Sequence, residues 1–277
     1  MIYLYINTTY SYNNIMNEIT NLRIHIAPMG FEVDRIVIPA KEQRADRLWL
    51  LTTAMSNQVG PFKETITEQL RAHNIEVKEM IHDRSDPFDI IRATRQIIQQ
   101  EDGNNIAVNL SSGSKIQAVG CMLACMMFNH NRNVSSYYAE PKKYSQSVDG
   151  PLSEGVQRIM TMPGYDIQIP DKMLVSVLHI IQERGRINKK DLLRKMQDVG
   201  LVVIYEELDS SIKQDNNVIL IQAKRGVETV AGLTRLNNKI ITPLLKWGFI
   251  DVEQVGRNNY ITLTSKGKNA IKFLPKL

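Results

Sequence analysis

The order of strand-like and helix-like segments along residues 1–140 constrains this chain more than any other feature of its sequence. Ile2–Asn7 is a short apolar, β-rich run. It lacks a basic flank and is too short for a signal peptide, so it reads as a first strand. Asn14–Ala27 sets Ile15, Ile19, Leu22 and Ile26 at helical spacing. Val33–Pro39 reads as a second strand, and a polar stretch through Leu48, Leu51 and Met55 as a helix. Pro61 opens a helix to His73, and Ile75–Ile81 alternates like a strand. Asp86 before Pro87 predicts an N-cap for a helix reaching about Glu101. Asn105–Leu110 is then a strand, Ser114–Asn129 an apolar helix and Asn133–Ala139 a fifth strand. Strands that alternate with helices need crossover connections. The predicted class is therefore α/β, with a Rossmann-like, mainly parallel sheet.

The chain has 277 residues, room for two domains of roughly 100–170 residues each. A hydrophobic share of 43% excludes a mostly disordered chain. Two cysteines exclude a disulfide scaffold and suit a reducing cytoplasm. No apolar run approaches the roughly 18 residues that span a bilayer, so no membrane partner is expected. The net charge of +5 is unevenly placed. Residues 1–165 hold 16 Lys+Arg against 17 Asp+Glu, whereas residues 166–277 hold 18 against 12, a net of +6. A neutral domain (1–165, with its linker) followed by a basic one (166–277) is the pattern of a sensor joined to a polyanion binder.

In an open parallel sheet, ligands sit beyond the carboxyl ends of the strands. Two loops therefore stand out. One is Asn7-Thr8-Thr9-Tyr10-Ser11 after the first predicted strand; the other is Asn109-Leu110-Ser111-Ser112-Gly113-Ser114-Lys115 after the fourth. The second brings three small hydroxyls and a glycine into a helix N-terminus with a lysine in its first turn. Glycine allows close backbone approach, and helix amides, hydroxyls and a cation all favour an anion. The plainer reading is a well-capped strand–helix connection with Lys115 in solvent. No G-x-G-x-x-G follows the first strand and no Walker glycine precedes Gly113, so no nucleotide redox cofactor is expected. Ser112-Gly-Ser-Lys115 matches S-x-x-K by chance, because neither S-D-N nor K-T-G accompanies it. Cys121 and Cys125 lie four apart on an apolar helix without further ligands and make no metal site.

The βα order and the run Asn-Leu-Ser-Ser-Gly-Ser-Lys resemble the CARF domain, the CRISPR-associated Rossmann fold, over roughly residues 1–140. Family members carry Asn-hydrophobic-Thr-Gly-Gly-Thr-Lys/Arg at this place. Asn109, Gly113 and Lys115 are kept, serines stand at 111 and 114 for threonine, and Ser112 replaces a glycine. The resemblance implies a homodimer that binds cyclic oligoadenylate across its two-fold axis. It implies contacts from Thr8 and Thr9 in the first loop and from Ser112, Gly113, Ser114 and Lys115 in the fourth, with Asn109 and Ser111 in the same stretch. CARF domains are often fused to a HEPN ribonuclease, whose signature is an arginine ahead of a histidine. None of His25, His73, His82, His130 and His179 has an arginine five to seven residues before it. Some CARF domains cleave their own ligand, which leaves a ring nuclease as one alternative and a sensor of another nucleotide or metabolite as a second; no nucleophile is singled out.

The basic half reads differently. Asp171 caps a helix bearing Met173, Val177, Ile180 and Ile181, and Asn188 caps a second, Lys189–Gln197. Val202–Tyr205 and Val218–Ala223 read as strands or as an inserted hairpin around Asp215-Asn216-Asn217. Leu233–Trp247 resembles a recognition helix stopped by Gly248, with Leu236, Ile240, Leu244 and Trp247 as its apolar stripe. Arg235, Asn238, Lys239 and Thr242 then face outward. Phe249–Val255 and Asn259–Leu263 flank a basic tip at Gly256-Arg257-Asn258, like the wing of a winged helix. Pro243 inside the helix removes one backbone bond. The expectation for the whole is a winged helix-turn-helix that binds double-stranded DNA through Arg235, Asn238, Lys239, Thr242 and Arg257, governed by a CARF-like sensor. A winged helix used only for protein contacts is the rival.

Overall fold

The computed structural model describes residues 21–53, 60–129, 133–145, 150–205, 218–222, 227 and 229–274. The first domain is β1 (Arg23–Pro28), α1 (Asp34–Glu42), β2 (Arg47–Thr52), α2 (Gly60–Arg71), β3 (Glu76–Ile81), α3 (Pro87–Gln100), β4 (Asn105–Asn109), α4 (Lys115–Phe128), β5 (Val134–Tyr144) and β6 (Ser153–Thr161). These six strands form one sheet in the order β3-β2-β1-β4-β5-β6, parallel except for β6. The order reverses between β1 and β4. That switch point is where a crevice opens beyond the strand ends.

The α/β class holds, but the alternation begins one element out of phase. Arg23–Pro28 is a strand, although Asn14–Ala27 predicted a helix. Val33–Pro39 predicted a strand and supplies α1. Arg47–Thr52 predicted a helix and is β2. The cause is burial. β1 lies between β2 and β4, so Ile24, Ile26 and Ala27 are all fully buried. β2 buries Leu48, Leu50 and Leu51 equally. A parallel strand covered on both faces loses its period of two, and a continuous apolar run cannot be told from a buried helix. In α1, Ile36, Val37 and Ala40 pack inward at helical spacing, and this tertiary contact overrides their β preference. Ile2–Asn7 lies outside the described residues. From α2 to α4 the predicted elements stand within a residue or two. β5 runs five residues past Ala139, and β6 falls on a stretch for which the sequence predicts no strand.

The second domain is α5 (Lys172–Arg184), β7 (Arg186–Asn188), α6 (Lys189–Asp198), β8 (Val202–Tyr205), β9 (Ile219–Gln222), α7 (Val230–Leu236), a π-turn (Asn237–Ile241), α8 (Thr242–Trp247), β10 (Ile250–Val255), β11 (Asn258–Leu263) and α9 (Ser265–Phe273). β7, β11 and β10 form the small sheet of a winged helix. β8 and β9 pair in parallel, so the inserted segment is not a hairpin. The Asp215–Asn217 turn lies outside the described residues. Pro243 stands just behind the π-turn, where the widened ladder absorbs its missing N–H. The domains touch through α3 and α9. Phe88 and Phe273 stack with centroids 6.1 Å apart, and Ile169 packs against both cores.

Candidate functional site

Two loops leave the switch point: Met29–Val33 after β1, and Leu110–Ser114 after β4. They meet backbone to backbone. A Cβ on Gly30 would lie 2.7 Å from the Gly113 nitrogen. Gly113 has φ +76°, and a Cβ there would lie 2.7 Å from Pro28 Cβ and 2.8 Å from Gln117 Oε1. Only glycine satisfies both the handedness and the approach.

The polar residues of the β4 loop divide into two groups. Asn109 is fully buried; its Nδ2 donates to the Arg35 carbonyl at 2.7 Å and its Oδ1 accepts from the Ser111 amide at 2.7 Å. The Ser111 hydroxyl accepts from the Ala139 amide, and the Ser112 hydroxyl donates to the Pro28 carbonyl at 2.7 Å. These three side chains hold the loop. Gly113 and Lys115 are exposed and Ser114 is half-buried, so the outward face belongs to them. Ser114 caps α4 through a capping box. Its Oγ accepts from the Gln117 amide at 3.2 Å, and Gln117 Oε1 accepts from the Ser114 amide at 2.8 Å. The capping box takes the Gln117 amide and the Ser114 carbonyl takes that of Ala118; the Lys115 and Ile116 amides have no acceptor among the described residues, and with the Lys115 side chain they make an electropositive mouth. Thr8 and Thr9 lie outside the described residues, and among the described residues the loop leaving β1 at the switch point is Met29–Val33.

Three further residues brace this mouth. Gln117 turns its Nε2 to His82 Nε2, at 3.0 Å, at the end of β3. Because Gln117 Oε1 already accepts from Ser114, its amide nitrogen donates and neutral His82 accepts. Burial pushes the His82 pKa below its ordinary value, against the opposing field of Asp89, which suits that assignment. On the other side Arg35 is buried. Its Nε donates to the Ala139 carbonyl at 2.8 Å and its Nη1 to Glu32 Oε1 at 3.1 Å, while its guanidinium lies 4.9 Å from the Tyr138 ring centre. Glu32 also accepts from the Ser153 hydroxyl, which ties the β1 loop to β6. Gln117 was readable in the sequence as the fourth residue of Ser-x-x-Gln. His82, Arg35 and Glu32 were not singled out in the sequence, because the bonds that bring them to the site, to Gln117, Ala139 and Ser153, are long-range; only the Glu32–Arg35 pair is local.

In the second domain Leu236, Ile240 and Leu244 are buried and Trp247 packs against the same core, as the stripe predicts. Asn238, Lys239 and Thr242 are exposed on the opposite face, and Arg257 is exposed at the β10–β11 turn. Arg235 is exposed as well, but its Nη1 donates to the Leu220 carbonyl of β9. The inserted strand pair therefore flanks the recognition helix.

Residues 23–144 match the family model described as HFX_2341-like, N-terminal, and residues 173–275 match the DUF6293 C-terminal winged helix domain. The chain is thus similar, in order, to an HFX_2341-like domain and to a DUF6293 winged helix domain. That order, a Rossmann-like sheet and then a winged helix, is the one expected from the CARF resemblance of the first half and the winged-helix pattern of the second. An uncharacterized protein of Methanocaldococcus jannaschii, MJ1513, is 22% identical over 95% of this chain and 99% of its own length. Among solved structures, Can2 of Sulfobacillus thermosulfidooxidans, in complex with cyclic tetra-adenylate, aligns over 90% of this chain and 61% of its own, with 16% identity and a TM-score of 0.38. Csm6 of Enterococcus italicus, bound to a cyclic hexa-dAMP analogue, aligns over 45% and 35%, with 14% identity and a TM-score of 0.34. The chain thus spans under two thirds of either neighbour, and TM-scores this low assign it no ligand.

Proposed function

We propose that the protein is a ligand-responsive DNA-binding regulator. Its first domain senses a cyclic oligoadenylate and its winged helix binds double-stranded DNA. The observation that carries this reading is the pairing, in one chain, of an open helix N-terminus with Lys115 at the switch point and a winged helix with exposed Asn238, Lys239, Thr242 and Arg257. Phosphates of a ring suit the first, and a DNA groove and its phosphates suit the second.

A homodimer completes the reading. α4 is apolar almost all round and exposes Ile116 and Val119 directly beside Lys115. A helix of that kind asks for cover, and two-fold pairing along it brings two Lys115 mouths together. The ring would favour one relative placement of the two winged helices, and DNA affinity would change only by the ring's differential affinity for the alternatives. A cytoplasmic location follows from this reading; no helix among the described residues is long and apolar enough to cross a membrane. The hydroxyls of Ser111 and Ser112 are engaged in the fold, which favours a switch over ring cleavage.

The test is incubation with cyclic tetra- and hexa-adenylate, followed by calorimetry and product analysis. Tight binding of either ring without turnover, lost in Lys115→Ala, supports the reading. Linear products would make the protein a ring nuclease, and binding to neither ring would end the ligand assignment.

A further inference from the structure

At the amino edge of the sheet, the opposite edge from the loops just described, lies a cavity of about 470 Å³ between the two domains. Its walls include Arg95, Ile106 and Phe128 of the first domain, and Ile169, Val175 and Leu274 of the connection and the winged helix. Arg95 is the unusual member. It is only 7% exposed, and its guanidinium lies 5.3 Å from the Phe128 ring centre. It makes no ion pair or hydrogen bond among the described residues, whereas the buried Arg35 has Glu32 and a carbonyl, and Arg47 has Glu76 and Glu101. Burial holds its pKa below the ordinary arginine value with no charge to offset it. A guanidinium cannot shed its proton in a protein, so Arg95 stays charged in the cavity wall.

The buried carboxylate in the wall does not answer it. Glu101 is held by Arg47 Nη1 at 2.6 and 2.8 Å, by Trp49 Nε1 at 2.8 Å and by Asn104 Nδ2 at 3.0 Å. Asp102 lies exposed at the rim, and Lys172, the first residue of α5, is exposed at the mouth. The cavity therefore offers one buried cation, Lys172 and Asp102 at its entrance and walls that are mostly apolar.

We propose that this cavity is a second ligand site, taking a small organic acid whose carboxylate pairs with Arg95 and whose apolar or aromatic body lies against Ile106, Phe128 and Ile169. The fork of an arginine matches a carboxylate in two parallel bonds. A carboxylate matches one guanidinium in charge and in its two coplanar oxygens, whereas a phosphate dianion brings a second charge and a third, out-of-plane oxygen, so the carboxylate is favoured. Because the walls come from both domains, an occupant stabilises the domain placement described here and acts on the winged helix independently of the Lys115 mouth.

The experiment is thermal unfolding of the full chain with monocarboxylates at about 10 mM, from butyrate to decanoate and from phenylacetate to 4-phenylbutyrate, each beside its neutral amide and beside inorganic phosphate. At least one acid raises Tm by a few degrees while its amide and phosphate leave it unmoved. Arg95→Met abolishes that shift without lowering the Tm of the ligand-free protein, because it removes an unpaired buried charge. Val175→Phe, which fills the cavity and leaves the charge in place, abolishes it too. The proposal is overturned if no acid shifts Tm beyond its amide, or if the shift survives in both variants.

Discussion

Gly113→Ala tests whether the two loops at the switch point are locked together as described. With φ +76° the new residue adopts a left-handed backbone, at a cost of about 1 kcal/mol after the gain from a stiffer unfolded chain is set against it. Its Cβ would also come within 2.7 Å of Pro28 Cβ and 2.8 Å of Gln117 Oε1. Moving Gln117 breaks the capping box, and leaves the Ser114 amide and His82 Nε2 without partners, for a further cost of about 2 kcal/mol. The expected total is about 3 kcal/mol. Gly103→Ala is the internal control, since φ there is +85° and nothing lies within 4 Å of the added carbon. It should cost about 1 kcal/mol of backbone strain alone. The chain has 2 tryptophans, Trp49 in the first domain and Trp247 in the second. Urea unfolding in a Trp247→Phe background therefore reports the first domain by itself. With a slope of about 2 kcal/mol per molar, the midpoint falls by about 1.5 M for Gly113→Ala and about 0.5 M for Gly103→Ala. Equal midpoint shifts would refute the loop contact and with it the geometry of the mouth.

Three other outcomes follow from the same structure. Burial pushes the His25 pKa down to about 4 from 6.5, so between those values the unfolded chain holds the extra proton. Stability of the first domain then falls as pH drops through that window, by up to about 3 kcal/mol, and His25→Gln flattens the fall in urea midpoints; an unchanged pH profile counts against a buried neutral His25. Cys121 is buried with its thiol pushed up to about 12, and burial raises Cys125 as well, so neither should react with a disulfide reagent near pH 8 until the domain unfolds. In a mobility shift, Arg257→Ala, Lys239→Ala and Arg235→Ala should each weaken DNA binding and reduce the salt slope by about 1; slopes unchanged in all three would move the DNA face elsewhere.

From α2 to α4, and again from α5 to α9, the elements were readable because their signals are local. Asp86 before Pro87 caps α3, Ser114 with Gln117 boxes α4, and the stripe of Leu236, Ile240 and Leu244 turns the recognition helix inward. The run Asn109–Lys115 likewise marked the loop that leaves β4 at the switch point, and the net +6 pointed to the second domain. Local signals fail where burial is complete on both sides. β1 and β2 have no exposed face to impose a period, so their apolar runs read as helix and the β-branched α1 read as strand. The tertiary structure also decided which polar side chains of the loop are spent on the fold. Asn109, Ser111 and Ser112 stand in the same short run as Gly113, Ser114 and Lys115. Yet the first three are committed to Arg35, Ala139 and Pro28, up to 84 positions away in the chain. Sequence supplied the residue types a phosphate site needs. Long-range hydrogen bonds, which no local spacing encodes, chose the ones left facing outward.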